Sequence, residues 1–248
     1  MFLKKTLKLY LANRKAALVF GILLVFVALF IQLSNVFASS GSIFFNYSIP
    51  EQGLAVLIGE AILLAIFLAL YSAFVSVIVF SVRGEMSHVR IHFYLREMLE
   101  KFALRIFAFY FLLVAVLSIL GFLLLTAGAS IASINLLLLI VSVFLIFVPQ
   151  SIVIDEKGLR RAVYNNFEFI LSNIPAFILV IVVSSIILLA IPLVELFFDQ
   201  FNYMGFLVSI IIVLLFAVPF IETLKTQLYM LKYGMVKAHH SFELKYKL

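Results

Sequence analysis

Long apolar runs alternate with short polar segments along this chain. Six runs stand out, at residues 16–33, 54–82, 104–126, 131–154, 174–194 and 204–224. A helix rises 1.5 Å per residue, so about twenty apolar residues cross the ~30 Å of a bilayer's hydrocarbon. Each run therefore predicts a transmembrane helix, and together they predict an all-α, polytopic membrane bundle.

The polar segments carry a pattern of their own. Ile91, Tyr94, Leu95, Met98, Leu99 and Phe102 recur at helical spacing and make one apolar stripe, opposite His88, Arg90, Glu97, Glu100 and Lys101, with Glu97 and Lys101 spaced to pair. After Asp155, which reads as a helix N-cap, Leu159, Ala162, Val163, Phe167 and Ile170 repeat the stripe over Arg160, Arg161, Tyr164 and Glu168. At the start of the chain Leu3, Leu7, Tyr10 and Leu11 oppose Lys4, Lys5, Lys8 and Lys15. Basic amphipathic helices of this kind lie in the headgroup plane with the apolar face down, and the same stripes would serve to pack on the bundle. The recurring order is amphipathic helix, outward span, outer turn, inward span. It reads as a single membrane domain, 1–248, of three hairpins in approximate repeats 1–82, 83–154 and 155–235, related by an axis along the membrane normal. Spans four and six both end in Val-Pro, at Val148-Pro149 and Val218-Pro219; span two does not.

Composition and charge fix the solvent and the orientation. With 66% hydrophobic and 12% charged residues, the chain lies far from soluble averages. All 18 Lys and Arg fall before span one, between span two and the first turn of span three, between four and five, or after six, while the opposite segments hold Glu51, Glu195 and Asp199. By the positive-inside rule both termini are cytoplasmic, in a cell membrane. The net charge of +6 is explained by topology and anionic headgroups rather than by nucleic acid. The sequon Asn46-Tyr47-Ser48 falls on the outer side, where Asn46 is open to glycosylation. The first run follows Lys and Arg and precedes Val36-Phe37-Ala38-Ser39, which has the look of a signal-peptide cleavage site. Its length favours an uncleaved first helix.

Some of these segments resemble a group of prokaryotic six-helix proteins related to the membrane domain of glycerophosphoryl diester phosphodiesterases. The segments are Phe147-Val148-Pro149, the stretch from Ile154-Asp155-Glu156-Lys157-Gly158 to Leu159-Arg160-Arg161-Ala162, Asn173-Ile174-Pro175, and the closing Pro219, Thr223, Leu228-Tyr229 and Lys232-Tyr233. In that group the phosphodiesterase is a separate soluble domain, which has no counterpart in this sequence. The resemblance therefore implies a fold and no activity.

Candidate chemistry is sparse. Glu60 lies within span two, and Gln32 of span one and Asn135 of span four lie at a similar depth, so the three would form one intramembrane polar cluster. Such a cluster would glue helices together or serve a substrate or proton. Glu85, His88 and His92 have metal-ligand spacing on one helical face, but the only other histidines are His239-His240, and no metal is expected. Glu222 and Lys225 are spaced to form a structural ion pair. There is no cysteine, no nucleophile motif and no paired carboxylate at membrane depth, so neither a cofactor nor catalysis is expected.

The reading that follows is a non-catalytic membrane module that binds anionic lipid, a membrane-protein partner or a second copy of itself. Its headgroup contacts would be Lys4, Lys5, Lys8, Arg83, Arg90, Arg160 and Arg161. The alternatives are a small transporter or channel with a path past Glu60, and a protein that handles lipid or polyprenyl chains in a groove.

Overall fold

The computed structural model describes residues 2–32, 36–39, 42–45, 54–87, 99–202 and 205–230. Phe2–Ala12 (α1) ends at Asn13, where the chain bends by 70° into Arg14–Leu18 (α2), a 3-10 turn at Val19–Ile22 and Leu23–Gln32 (α3). Val36–Ser39 (β1) and Ser42–Phe45 (β2) pair antiparallel, with Val36 opposite Phe45 and Ser39 opposite Ser42. Leu54–Ser87 (α4) follows, then a π turn at Leu99–Ala103 that runs into Leu104–Thr126 (α5), and Ile131–Phe144 (α6). Val148–Ile154 (α7), Leu159–Ser172 (α8), Ile174–Asn202 (α9) and Gly205–Ile212 (α10) lead to a π turn at Val213–Ala217 and to Val218–Tyr229 (α11).

Among the described residues, five stretches are long and apolar enough to cross a membrane: Ile58–Ser87, Leu99–Thr126, Ala132–Ile154, Ile174–Gln200 and Gly205–Tyr229. The bent stretch from Phe2 to Leu29 makes a sixth when its two arms count as one. This is the build of a multi-pass membrane protein. The third predicted span coincides with α5.

Other expectations shift. The residues between spans one and two were expected to form a plain outer turn, yet they include the β1–β2 pair, whose Val36, Phe37, Ile43, Phe44 and Phe45 are strand formers. Glu195 and Asp199 were expected in an outer loop and lie on α9, because Leu196, Phe197 and Phe198 continue the helix and no glycine or proline intervenes before Gly205. Span four is not one helix. It breaks between α6 and α7, and Pro149, which has no N–H and suits a first turn, starts α7.

The central contact is α4 against α11. Helices α5 and α7 pack on α4, α8 packs on α7, and α1 packs on α11. Burial concentrates at the end of the bundle where the basic residues gather: Val75, Ile78, Val79 and Val82 of α4, the whole of α7, and Leu224 to Met230 are buried. Phe169 forms the aromatic centre there, with ring centroids 4.8 Å from Phe147 and 4.7 Å from Tyr229. Towards the opposite end, Val116, Ile119 and Phe122 of α5, Leu136 and Leu139 of α6, and Leu189 and Leu193 of α9 are exposed. An apolar surface of this extent suits hydrocarbon as its solvent.

Candidate functional site

The break in span four frees backbone groups inside a packed region, and Asn166 of α8 takes up two of them. Its Oδ1 accepts from the Phe147 N–H at 2.9 Å, and its Nδ2 donates to the Phe144 carbonyl at 2.8 Å. Asn166 is fully buried, so these bonds fasten α8 across the α6–α7 joint.

One turn into α7, Gln150 donates from Nε2 to Glu222 Oε2 of α11 at 2.8 Å, and Lys225 Nζ donates to Glu222 Oε1 at 2.6 Å. The Glu222 and Lys225 side chains are only 4% and 6% exposed. The spacing of these two residues predicted their pairing, and burial makes the pair obligatory, since either charge alone would be stranded. Tyr71 of α4 and Tyr110 of α5 meet edge-on, ring centroids 5.4 Å apart, within electrostatic reach of Glu222. Gln150 Oε1 is buried without a hydrogen-bond partner among the described residues.

Asp155 was expected to cap α8. Gly158 occupies the N-cap position instead, and Asp155 stands at the C-terminus of α7. Its Oδ2 accepts from Tyr229 Oη at 2.6 Å, Asn165 Nδ2 at 2.9 Å and Ser151 Oγ at 3.1 Å, so the carboxylate ties α7, α8 and α11 together. Beside it Glu156, at a left-handed φ of 56°, reaches Lys101 Nζ at 2.5 Å and Arg83 at 3.3 Å. The hydrogen bond from Lys101 leads in holding this carboxyl below the usual glutamate range; partial burial opposes it, and the charges of Lys101 and Arg83 reinforce it. Lys101 therefore meets Glu156, and Glu97, the residue it was spaced to meet, lies outside the described residues. Arg83 also donates to the Val153 carbonyl at 2.8 Å, so a residue read as a headgroup contact is turned into the protein at the C-terminal end of α7.

Helix α1 presents distinct sides. Thr6 and Leu9 are buried, and Thr6 Oγ1 donates to Gln227 Oε1 at 2.8 Å. Tyr10 sides with them rather than with the leucine stripe: its hydroxyl donates to the Leu215 carbonyl at 2.8 Å and its ring meets Phe216 edge-on. Leu3, Leu7 and Leu11 are exposed, and so are Lys4, Lys5 and Lys8. At 3.6 residues per turn, the leucines and the lysines stand roughly 120° to either side of the buried line. Asn13 sets the bend that follows, accepting from Ser81 Oγ and donating to Glu85 Oε2 at 3.0 Å. Helix α8 also has a buried side. Ala162, Asn166, Phe169 and Ile170 are buried, whereas Arg160, Arg161, Tyr164, Phe167 and Leu171 are exposed. Phe167, read as part of the apolar stripe, thus lies away from the buried side.

The remaining predicted positions scatter. Glu60 is half-buried on α4, far along the helix from Arg83, with Oε1 buried and without a hydrogen-bond partner among the described residues. Asn135 is exposed on α6, and no hydrogen bond joins it to Glu60. Gln32 ends α3, and its side chain, like Arg90, Asn46, His88 and His92, lies outside what is described. Glu85, read as a potential metal ligand, accepts from Asn13. Among the described residues no group of three His, Cys, Asp or Glu could hold a metal ion.

Sequence reasoning passed over Gln150, Asn166 and the Thr6–Gln227 pair. A signal was present: Gln150 is an uncharged polar residue beside a proline in an apolar run, and Thr223, Thr226 and Gln227 accompany the ion pair in span six. Comparison of the chain with protein-family models, with curated proteins and with solved structures finds no match.

Proposed function

We propose that this protein is a non-catalytic integral membrane module that engages anionic lipid on the cytoplasmic side. Its spans would form three hairpins, with the basic end and both termini inside. The observation that carries this reading is the division of α1: a line fixed to the bundle, an exposed leucine line and an exposed lysine line. A helix docked sideways on a bundle at the bilayer surface needs these sides, because it meets protein, hydrocarbon and headgroups at once. Such contacts would also suit a membrane domain of the phosphodiesterase-related group, which has no chemistry of its own to perform. The test is the lipid that accompanies the protein out of a membrane of mixed composition. Enrichment of anionic over zwitterionic lipid relative to the bulk is expected, and a bound composition equal to the bulk sinks the proposal.

A second reading rests on Glu60, whose buried and unpartnered Oε1 is the kind of atom a proton- or cation-coupled carrier would use. Reconstituted flux abolished by Glu60→Gln would favour it over the first.

A further inference from the structure

The loop into α8 gathers positive charge that the protein does not neutralise. Arg105 of α5 reaches across to this loop and donates from Nη1 to the Lys157 carbonyl at 3.4 Å. Arg160 and Arg161 follow on the first turn of α8, both exposed. None of Arg105, Lys157, Arg160 and Arg161 has an acidic partner among the described residues. The nearby acids are otherwise engaged: Glu156 by Lys101 and Arg83, and Asp155 by Tyr229, Asn165 and Ser151. Glu168 stands two turns farther along α8, and Glu100 stands on the turn before Arg105. Cations brought together without counter-charge repel one another, and an anion seated among them relieves that repulsion.

An apolar strip leads away from this cluster. Tyr164, Phe167 and Leu171 lie four, seven and eleven residues after Arg160, which places them on its side of the helix, and Tyr164 and Leu171 are 70% and 74% exposed. Beyond Asn173, Ile174 and Ile178 at the start of α9, a membrane-spanning stretch, are exposed as well. Guanidinium groups match phosphate oxygens in a fork, and the strip offers hydrocarbon contact in line with them. An acidic peptide would use the first feature and not the second.

We propose that Arg105, Lys157, Arg160 and Arg161 form one site for the phosphate of an anionic phospholipid whose acyl chains lie along Tyr164, Phe167 and Leu171. This rests on the lipid-engaging reading above and gives it an address distinct from α1. A cation beside an anionic surface contributes roughly fivefold in affinity.

The test titrates the full-length protein in neutral detergent with phosphatidic acid or with phosphatidylcholine of the same chains, reading bound lipid by native mass spectrometry. Arg160→Gln/Arg161→Gln removes two exposed charges that make no hydrogen bond or ion pair among the described residues, so folding is expected to be preserved; Arg105→Gln is the second variant. The double variant is expected to bind phosphatidic acid about 25-fold more weakly and Arg105→Gln about fivefold. Lys4→Gln/Lys5→Gln/Lys8→Gln weakens only the separate contact at α1, so in that background the arginine substitutions should still cost the same factors to within about twofold. If the lysine variant loses the binding and the arginine variants keep it, the site is overturned while the wider function stands. If the parent chain does not distinguish the two lipids, both fall. Displacement of the lipid by an equal concentration of inorganic phosphate overturns the lipid assignment.

Discussion

The Tyr10 hydroxyl donates to the Leu215 carbonyl at 2.8 Å, and Leu215 stands four residues before Pro219, which has no N–H to offer that carbonyl. A residue of α1 thereby supplies a donor to a carbonyl that lacks its i+4 donor in the last span. Tyr10→Phe keeps the ring contacts with Phe216 and removes the donor. It should lower stability by about 1–2 kcal/mol, the range for an interhelical hydrogen bond lost from a sparsely hydrated site. Thermal unfolding in detergent measures it, and an unchanged midpoint would show that the carbonyl finds another donor.

Asn166 makes a sharper case because it serves a donor and an acceptor. Asn166→Ala strands the Phe147 N–H and the Phe144 carbonyl, at about 1–3 kcal/mol each. Asn166→Asp would set a buried carboxylate against the Phe144 carbonyl and should cost at least as much as the alanine variant. A loss below about 1 kcal/mol for Asn166→Ala would contradict the bridge.

The buried pair predicts non-additivity. Glu222→Gln or Lys225→Met alone leaves an uncompensated charge and should cost about 3–5 kcal/mol, whereas the double variant removes both charges and should recover most of that. A double-mutant cycle gives the coupling. Additive losses would mean that the two charges are not interdependent.

Glu156 sets the pH dependence of the joint between α7 and α8. Its carboxyl is held below the ordinary value of about 4.3, chiefly by the Lys101 hydrogen bond. A depressed folded-state value means that the unfolded chain binds the proton more readily. The contribution of Glu156 is therefore fully present above about pH 4.3 and is lost as pH falls through the folded value. Hydrogen exchange of the α7–α8 joint should accelerate as pH falls below about 4, after correction for the intrinsic rate, and Glu156→Gln should remove that dependence.

The apolar runs alone determined the helices, because only an uninterrupted helix satisfies its own backbone in hydrocarbon. The bounds of α5 and the spacing of Glu222 and Lys225 were readable for the same reason: helical spacing is local. Lys101 was the counterexample, since it meets Glu156 in a distant loop, and no local spacing encodes that contact. The stripe from Ile91 to Phe102 lies largely outside the described residues, and on α1 and α8 a two-sided pattern does not say which side meets protein. Tyr10 and Phe167 changed sides once α11 and α7 were in place. The convergence of Gln150, Glu222, Tyr71 and Tyr110 was decided only by the tertiary structure. Polar atoms far apart in the chain are brought to one end of the bundle, where burial leaves each of them little choice but its neighbour.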